Sequence, residues 1–162
     1  MKVLGIDPGT AACGYGIVQQ SDGRLRATAH GCWRTRAGQR LDLRLKTIFD
    51  GVAGLIAAHA PDAVALEESY VGADARIALS VGQARGAVLV ACANAGVAAT
   101  EYAPAHVKQA VCGYGRAEKA QMQRMVRLVL GIEVANHHAA DALAVAICHA
   151  LTPRRLLAAA AL

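Results

Sequence analysis

Asp7, Glu67, His138 and Asp141 are scattered over a chain of 162 residues, yet each stands where an α/β fold can bring distant points together. Asp7 closes the apolar run Val3-Leu4-Gly5-Ile6, and Glu67 closes Ala63-Val64-Ala65-Leu66. His138 and Asp141 lie within His-His-Ala-Ala-Asp-Ala-Leu-Ala. Carboxylates at the ends of buried strands repel one another and lose hydration. Such a cluster is tolerated mostly where a cation neutralises it. The chemistry this implies is divalent-metal binding. Two ions about 4 Å apart can clamp the attacking and leaving oxygens of a phosphodiester, so hydrolysis of a nucleic-acid backbone is the first reaction to consider. Hard oxygen ligands suit Mg²⁺, and an imidazole in the set also suits Mn²⁺.

Taken singly, each residue has a plainer explanation. Asp-Pro-Gly is a turn in its own right, because Asp favours turn starts. Glu67 and Glu68 are adjacent, so alternation sends them to opposite faces and only one can join Asp7. Two acids after a strand also read as a solvated exit. His138 is i, i+3 from Asp141 and His137 is i, i+4, so either pair could share a helical face. Equally, these residues could cap a helix N-terminus, where an acid is favourable anyway. From the residues alone both choices stay open. Lys108, Arg116 and Lys119, then Arg124 and Arg127, form a basic stretch. Solvated helix faces commonly look like this, but around an acidic site such residues could hold phosphates. Tyr70, beside Val71-Gly72-Ala73, is either an ordinary surface tyrosine or a platform for an unpaired base.

The elements that must position these groups follow from periodicity. Lys2–Asp7 reads as a buried strand, Gly14–Val18 as a second and Leu25–Trp33 as a third. Short turns at Pro8-Gly9-Thr10 and Ser21-Asp22-Gly23 join them in an antiparallel meander. Leu41, Leu45, Ile48, Val52, Leu55 and Ile56 then recur at helical spacing. Val64–Glu67 is a fourth strand, Ala75–Ala95 a long helix, and Val97–Tyr102 a fifth strand stopped by Pro104. Helices are expected over Ala105–Cys112, Ala117–Leu130 and Ala139–Leu151. This order fits a five-stranded mixed sheet flanked by helices, with its site at the strand ends. Residues 1–162 form one domain, with 155–162 expected as a short, poorly ordered tail. Inside the long helix Ala78, Gly82 and Gly86 make a small-residue stripe. Glycine there costs roughly 1 kcal/mol relative to alanine, which a close backbone partner would offset. That partner is either this domain's own sheet or the same helix of a second subunit.

The net charge is +5, compatible with a polyanionic partner. The five cysteines are odd in number and contain no Cys-x-x-Cys, which argues against a zinc site or disulfide framework. The chain opens on a strand rather than a charged leader, and no uninterrupted apolar run reaches the ~18 residues of a membrane span. A cytoplasmic protein without membrane association is the expectation.

Several blocks together resemble the RuvC family of bacterial Holliday junction resolvases. They are Gly5-Ile6-Asp7-Pro8-Gly9, Ala65-Leu66-Glu67, Gly82-Gln83-Ala84-Arg85-Gly86, Val107-Lys108-Gln109, Ala117-Glu118-Lys119 and Ala140-Asp141-Ala142-Leu143-Ala144. The resemblance implies a ribonuclease H-like fold. It also implies a homodimeric endonuclease that nicks opposing strands of a four-way DNA junction in recombination and repair. Its products would carry 5′-phosphate and 3′-hydroxyl ends. By the same analogy Asp7, Glu67, His138 and Asp141 hold two Mg²⁺ ions per site, with Mn²⁺ able to substitute. His138 departs from relatives that carry aspartate there. The resemblance further implies that Lys119 serves catalysis and junction binding, that Lys108 and Tyr70 contact DNA, and that a branch-migration complex delivers the substrate to a nucleoid-associated enzyme. Rival readings are a nuclease of this fold acting on another structured nucleic acid, a non-catalytic junction scaffold, and an actin- or sugar-kinase-like nucleotide-binding protein. The last would use Asp7-Pro8-Gly9-Thr10 at a phosphate, but the chain has no second Asp-x-Gly-Thr.

Overall fold

A computed structural model describes residues 1–68 and 75–153. The three N-terminal strands are β1 (Lys2–Asp7), β2 (Ala12–Ser21) and β3 (Arg24–Arg34). They are followed by α1 (Leu41–His59), β4 (Ala63–Glu67), α2 (Ala75–Asn94) and β5 (Ala99–Tyr102). Three helices complete the chain, α3 (Pro104–Cys112), α4 (Lys119–Leu130) and α5 (His137–Leu151). The sheet order is β3-β2-β1-β4-β5. β2 runs antiparallel to both β1 and β3, while β4 is parallel to β1 and β5 to β4. The expected meander and mixed five-stranded sheet are therefore present. The C-terminal ends of β1, β3, β4 and β5 share one edge.

Strands β1 and β4 are apolar on both faces because both faces are covered. On one face Val3, Val18 and Ala65 pack with α3, α4 and α5. On the other, Leu4, Ile6, Ile17, Val64 and Leu66 meet Ile48, Val52 and Ile56 of α1 and Ala84 and Val88 of α2. Helix α5 lies against β1 and β2 at backbone contact. A Cβ at Gly5 would stand 2.0 Å from the Ala142 carbonyl oxygen, and one at Gly14 would stand 2.1 Å from that of His138. Only glycine permits this approach.

Element boundaries depart from the periodicity where capping decides them. Helix α5 starts at His137, two residues before the expected Ala139, because the Asn136 side chain accepts from the N–H groups of His138 and Ala139 at 2.9 and 3.2 Å. Helix α4 starts at Lys119 rather than Ala117, because Glu118 and Gln121 form a reciprocal capping box. Strands β2 and β3 run further than expected through polar positions that alternate outward. β5 is shorter than expected and starts at Ala99.

The small-residue stripe of α2 does not face the sheet. Added Cβ atoms at Gly82 and Gly86 would meet nothing within 4 Å. Around them Ile77, Leu79 and Val90 are 63%, 64% and 53% exposed. By length and composition α2 could cross a membrane. Instead it packs Ala84, Val88, Ala91 and Cys92 into the core, and its Arg85 pairs with Glu101 of β5.

Candidate active site

Register puts the first two acids side by side. Ile6 pairs with Leu66 across the parallel β1–β4 ladder, so Asp7 and Glu67 leave adjacent strands at the same edge. The paired glutamates have different surroundings. Glu67 feels Asp7 and Asp141, whereas Glu68 acts on Arg85. The N-terminus of α5 comes over the same edge. His138 Nδ1 lies 2.7 Å from Asp7 Oδ2. Asp141, one turn further along, accepts from Lys119 Nζ at 2.9 Å. His137 is exposed and its ring lies 4.1 Å from that of His138, centroid to centroid. Among the described residues, His138 is thus the imidazole that bonds Asp7. Tyr70 lies outside the described residues, as does the expected tail 155–162.

The electrostatics are those of a crowded acidic centre. Burial pushes the Asp7 carboxyl above its ordinary range, and Asp141 adds to the rise, while the hydrogen bond from His138 opposes it. Glu67 is pushed up to about 6, first by burial and then by the charges of Asp7 and Asp141, against the pull of Lys108 and Lys119. A cleft of about 220 Å³ opens here, lined by Glu67 and Asp141 on its acidic side and by Lys108 and Lys119 on its basic side. Among the described residues no three His, Cys, Asp or Glu side chains converge as a metal-ligating group. The carboxylates are tied instead to protein groups, Asp7 to the His138 imidazole and Asp141 to the Lys119 ammonium. The donor chemistry still fits a hard divalent ion. Three mutually repelling carboxylates and one imidazole, partly withdrawn from water, form a set that a dication stabilises.

Periodicity did not foresee what braces the turn after Asp7. Thr10 is buried, and its hydroxyl hydrogen-bonds Ser80 of α2. Its carbonyl accepts from Thr35 Oγ1 at 2.6 Å, and Arg44 donates to both Thr35 Oγ1 at 2.9 Å and Thr10 Oγ1 at 3.3 Å. Three other segments therefore fix the turn. The only signal in the chain was Thr10 following Asp-Pro-Gly.

Acids gathered at one edge of a mixed sheet, with lysines across the adjoining cleft, define a phosphodiester hydrolase of the ribonuclease H-like fold. Residues 3–149 match the family model for crossover junction endodeoxyribonuclease RuvC. The RuvC protein of Heliobacterium modesticaldum is 51% identical over 156 residues, covering 94% of this chain and 96% of that protein. That of Moorella thermoacetica is 49% identical over 152 residues, covering 93% and 91%. Among solved structures, Thermus thermophilus RuvC in complex with a Holliday junction substrate superposes with a TM-score of 0.87 at 38% identity, covering 93% of each chain. The yeast mitochondrial Holliday junction resolvase Ydc2, at 13% identity and a TM-score of 0.63 over 90% of this chain and 76% of that one, shares the fold.

This chain belongs to the RuvC family. It is a crossover junction endodeoxyribonuclease, a Holliday junction resolvase of DNA recombination and repair, and its family is metal-dependent. The nucleotide-binding and scaffold alternatives are set aside accordingly.

Proposed function

We propose that Asp7, Glu67, His138 and Asp141 hold two Mg²⁺ ions, with Mn²⁺ able to substitute, and that a homodimer nicks opposing strands of a four-way DNA junction. The observation that carries this reading is the placement of Asp7 and Glu67 at one sheet edge, with His138 and Asp141 brought over it, beside a cleft walled by Lys108 and Lys119. When bound, the ions would supply water activation and charge neutralisation at the scissile phosphate. The remaining work falls to the chain. Asp7 is held by the His138 ring, which fixes its rotamer. Lys119, the first residue of α4, is carried at a helix N-terminus, where backbone partial charge also favours an anion. Released from Asp141, its ammonium stabilises charge on the phosphate, and Lys108 binds the strand from the same cleft. Tyr70 is proposed to stack near the crossover. The open stripe of α2 is the proposed dimer surface, since its glycines leave room for a second backbone. The enzyme is proposed to act in the bacterial cytoplasm at the nucleoid, receiving junctions from a branch-migration complex.

The decisive experiment is gel analysis of a mobile four-way junction with Mg²⁺, Mn²⁺ or chelator. Paired, ligatable nicks in opposing strands with either metal, carrying 5′-phosphate and 3′-hydroxyl ends, and none with chelator, are the expected result. Equal cutting in chelator would refute the metal assignment. Cutting of linear duplex or RNA hybrid in preference to the junction would refute the substrate.

A further inference from the structure

We infer that Arg34 and Arg36, at the end of β3 and the start of the following loop, form a second phosphate-binding flank that grips the DNA strand on the side of the site away from Lys108 and Lys119. This inference rests on the resolvase reading and extends it to residues outside the cleft.

Position comes first. Arg34 pairs with Ala12 at the last rung of the β2–β3 ladder. Because β3 and β1 both run antiparallel to β2, Arg34 leaves the sheet at the edge where Asp7 does. Two strand spacings, about 10 Å, separate them. Lys108 follows β5, two strands beyond β1 in the other direction. The edge therefore reads base, acid, base. A strand laid across it would place about three phosphates between the acidic centre and each flank, at about 3.4 Å per nucleotide.

Direction comes second. Trp33 turns to the α1 face, where it stacks on Tyr15 with ring centroids 4.6 Å apart. Alternation sends Cys32 and Arg34 to the opposite face. There Cys32 meets the Asn136 side chain that caps α5, and both Arg34 and Asp7 act on it electrostatically. Arg34 thus shares the face of His138 and Asp141.

Rigidity and charge come third. Between the two arginines, Thr35 is pinned by its N–H to the Ala11 carbonyl at 3.1 Å and by its hydroxyl to Thr10. Beyond them the chain closes on itself, with Gln39 N–H donating to the Arg36 carbonyl at 3.2 Å and Gly38 at φ 78°. Both arginines are exposed, and neither pairs with a carboxylate among the described residues. Arg40 in the same loop contrasts with them, since Asp42 neutralises it at 2.7 Å. Unpaired guanidinium groups on a braced support suit phosphate oxygens, which they bind in a bidentate manner.

The test is binding of a four-way junction in chelator, over a series of salt concentrations, by the parental enzyme and by R34A/R36A, R34K/R36K and R40A. For R34A/R36A we expect several-fold weaker binding and a shallower salt dependence. The log–log slope should fall by about 0.9 per lost contact, or about 2 for both. R34K/R36K should recover the slope, and R40A should keep it. A double alanine variant with parental affinity and slope overturns this inference while leaving the resolvase reading intact. A parental enzyme that neither binds nor cuts the junction takes both down.

Discussion

Helices α2 and α5 are both long, apolar and rich in alanine, and they use those side chains in opposite ways. Helix α5 buries every residue from Ala139 to Ala150 except Asp141. It is enclosed by the sheet, α3 and α4. It cannot slide without opening a close-packed core, so His138 and Asp141 are held within tight limits. Helix α2 buries only Ala84, Val88, Ala91 and Cys92, one stripe of its surface. A second apolar stripe remains uncovered, the kind of surface that a symmetric partner closes. The difference separates two tasks: α5 fixes His138 and Asp141 against the sheet, and α2 leaves open the surface proposed to meet a second subunit.

Four perturbations would break or sharpen this contrast. Asp141→Asn keeps the shape of the α5 site and removes its charge. Single-turnover cleavage of a junction with Mg²⁺ should fall below about one-thousandth of the parental rate, while junction binding persists. Parental cutting by this variant would detach α5 from the chemistry. Gly5→Val drives a side chain into the Ala142 carbonyl, and the cost should be about 3 kcal/mol or more, read from urea denaturation. Undiminished stability would mean that α5 does not rest on β1 at backbone contact.

Glu67→Gln addresses the acidic centre itself. Glu67 titrates at about 6 in the folded chain and at 4.5 ordinarily, so the folded state holds its proton more tightly. The resulting stability is complete below pH 4.5, declines as pH rises and is gone above 6. Glutamine imitates the protonated form at every pH. In chelator the variant should match the parental protein near pH 4 and exceed it by roughly 1 kcal/mol at pH 8, solvent screening included. It should also lose cleavage. Equal stability of the two proteins at pH 8 would deny that repulsion and burial strain this carboxylate. The smallest effect is expected for Gly82→Leu. The isolated chain should gain about 0.5–1 kcal/mol from helix propensity, while dimer dissociation in sedimentation rises. A dimer of unchanged affinity would move the partner surface elsewhere.

Much of this arrangement was legible in the chain because buried strands write themselves as apolar runs. Asp7 and Glu67 were visible as the acids ending two such runs. Other features needed contacts between segments that share no period. Glu67 is distinguished from Glu68 by Arg85, seventeen residues on in a different element. The first turn of α5 depends on Asn136, whose capping role a hydrophobic pattern does not reveal. The brace of Thr10, Thr35, Arg44 and Ser80 draws one residue from each of four places. Nothing about their spacing announces that they meet.

The ion pair between Lys119 and Asp141 has one more consequence. With it the centre carries an internal counterion, so a dication bound as proposed would displace an ammonium rather than fill a bare anionic hole. Because the lysine side chain is 60% exposed, the exchange costs at most about 1 kcal/mol. Under the proposed metal assignment, loading an ion at Asp141 and freeing the lysine for the phosphate would be linked.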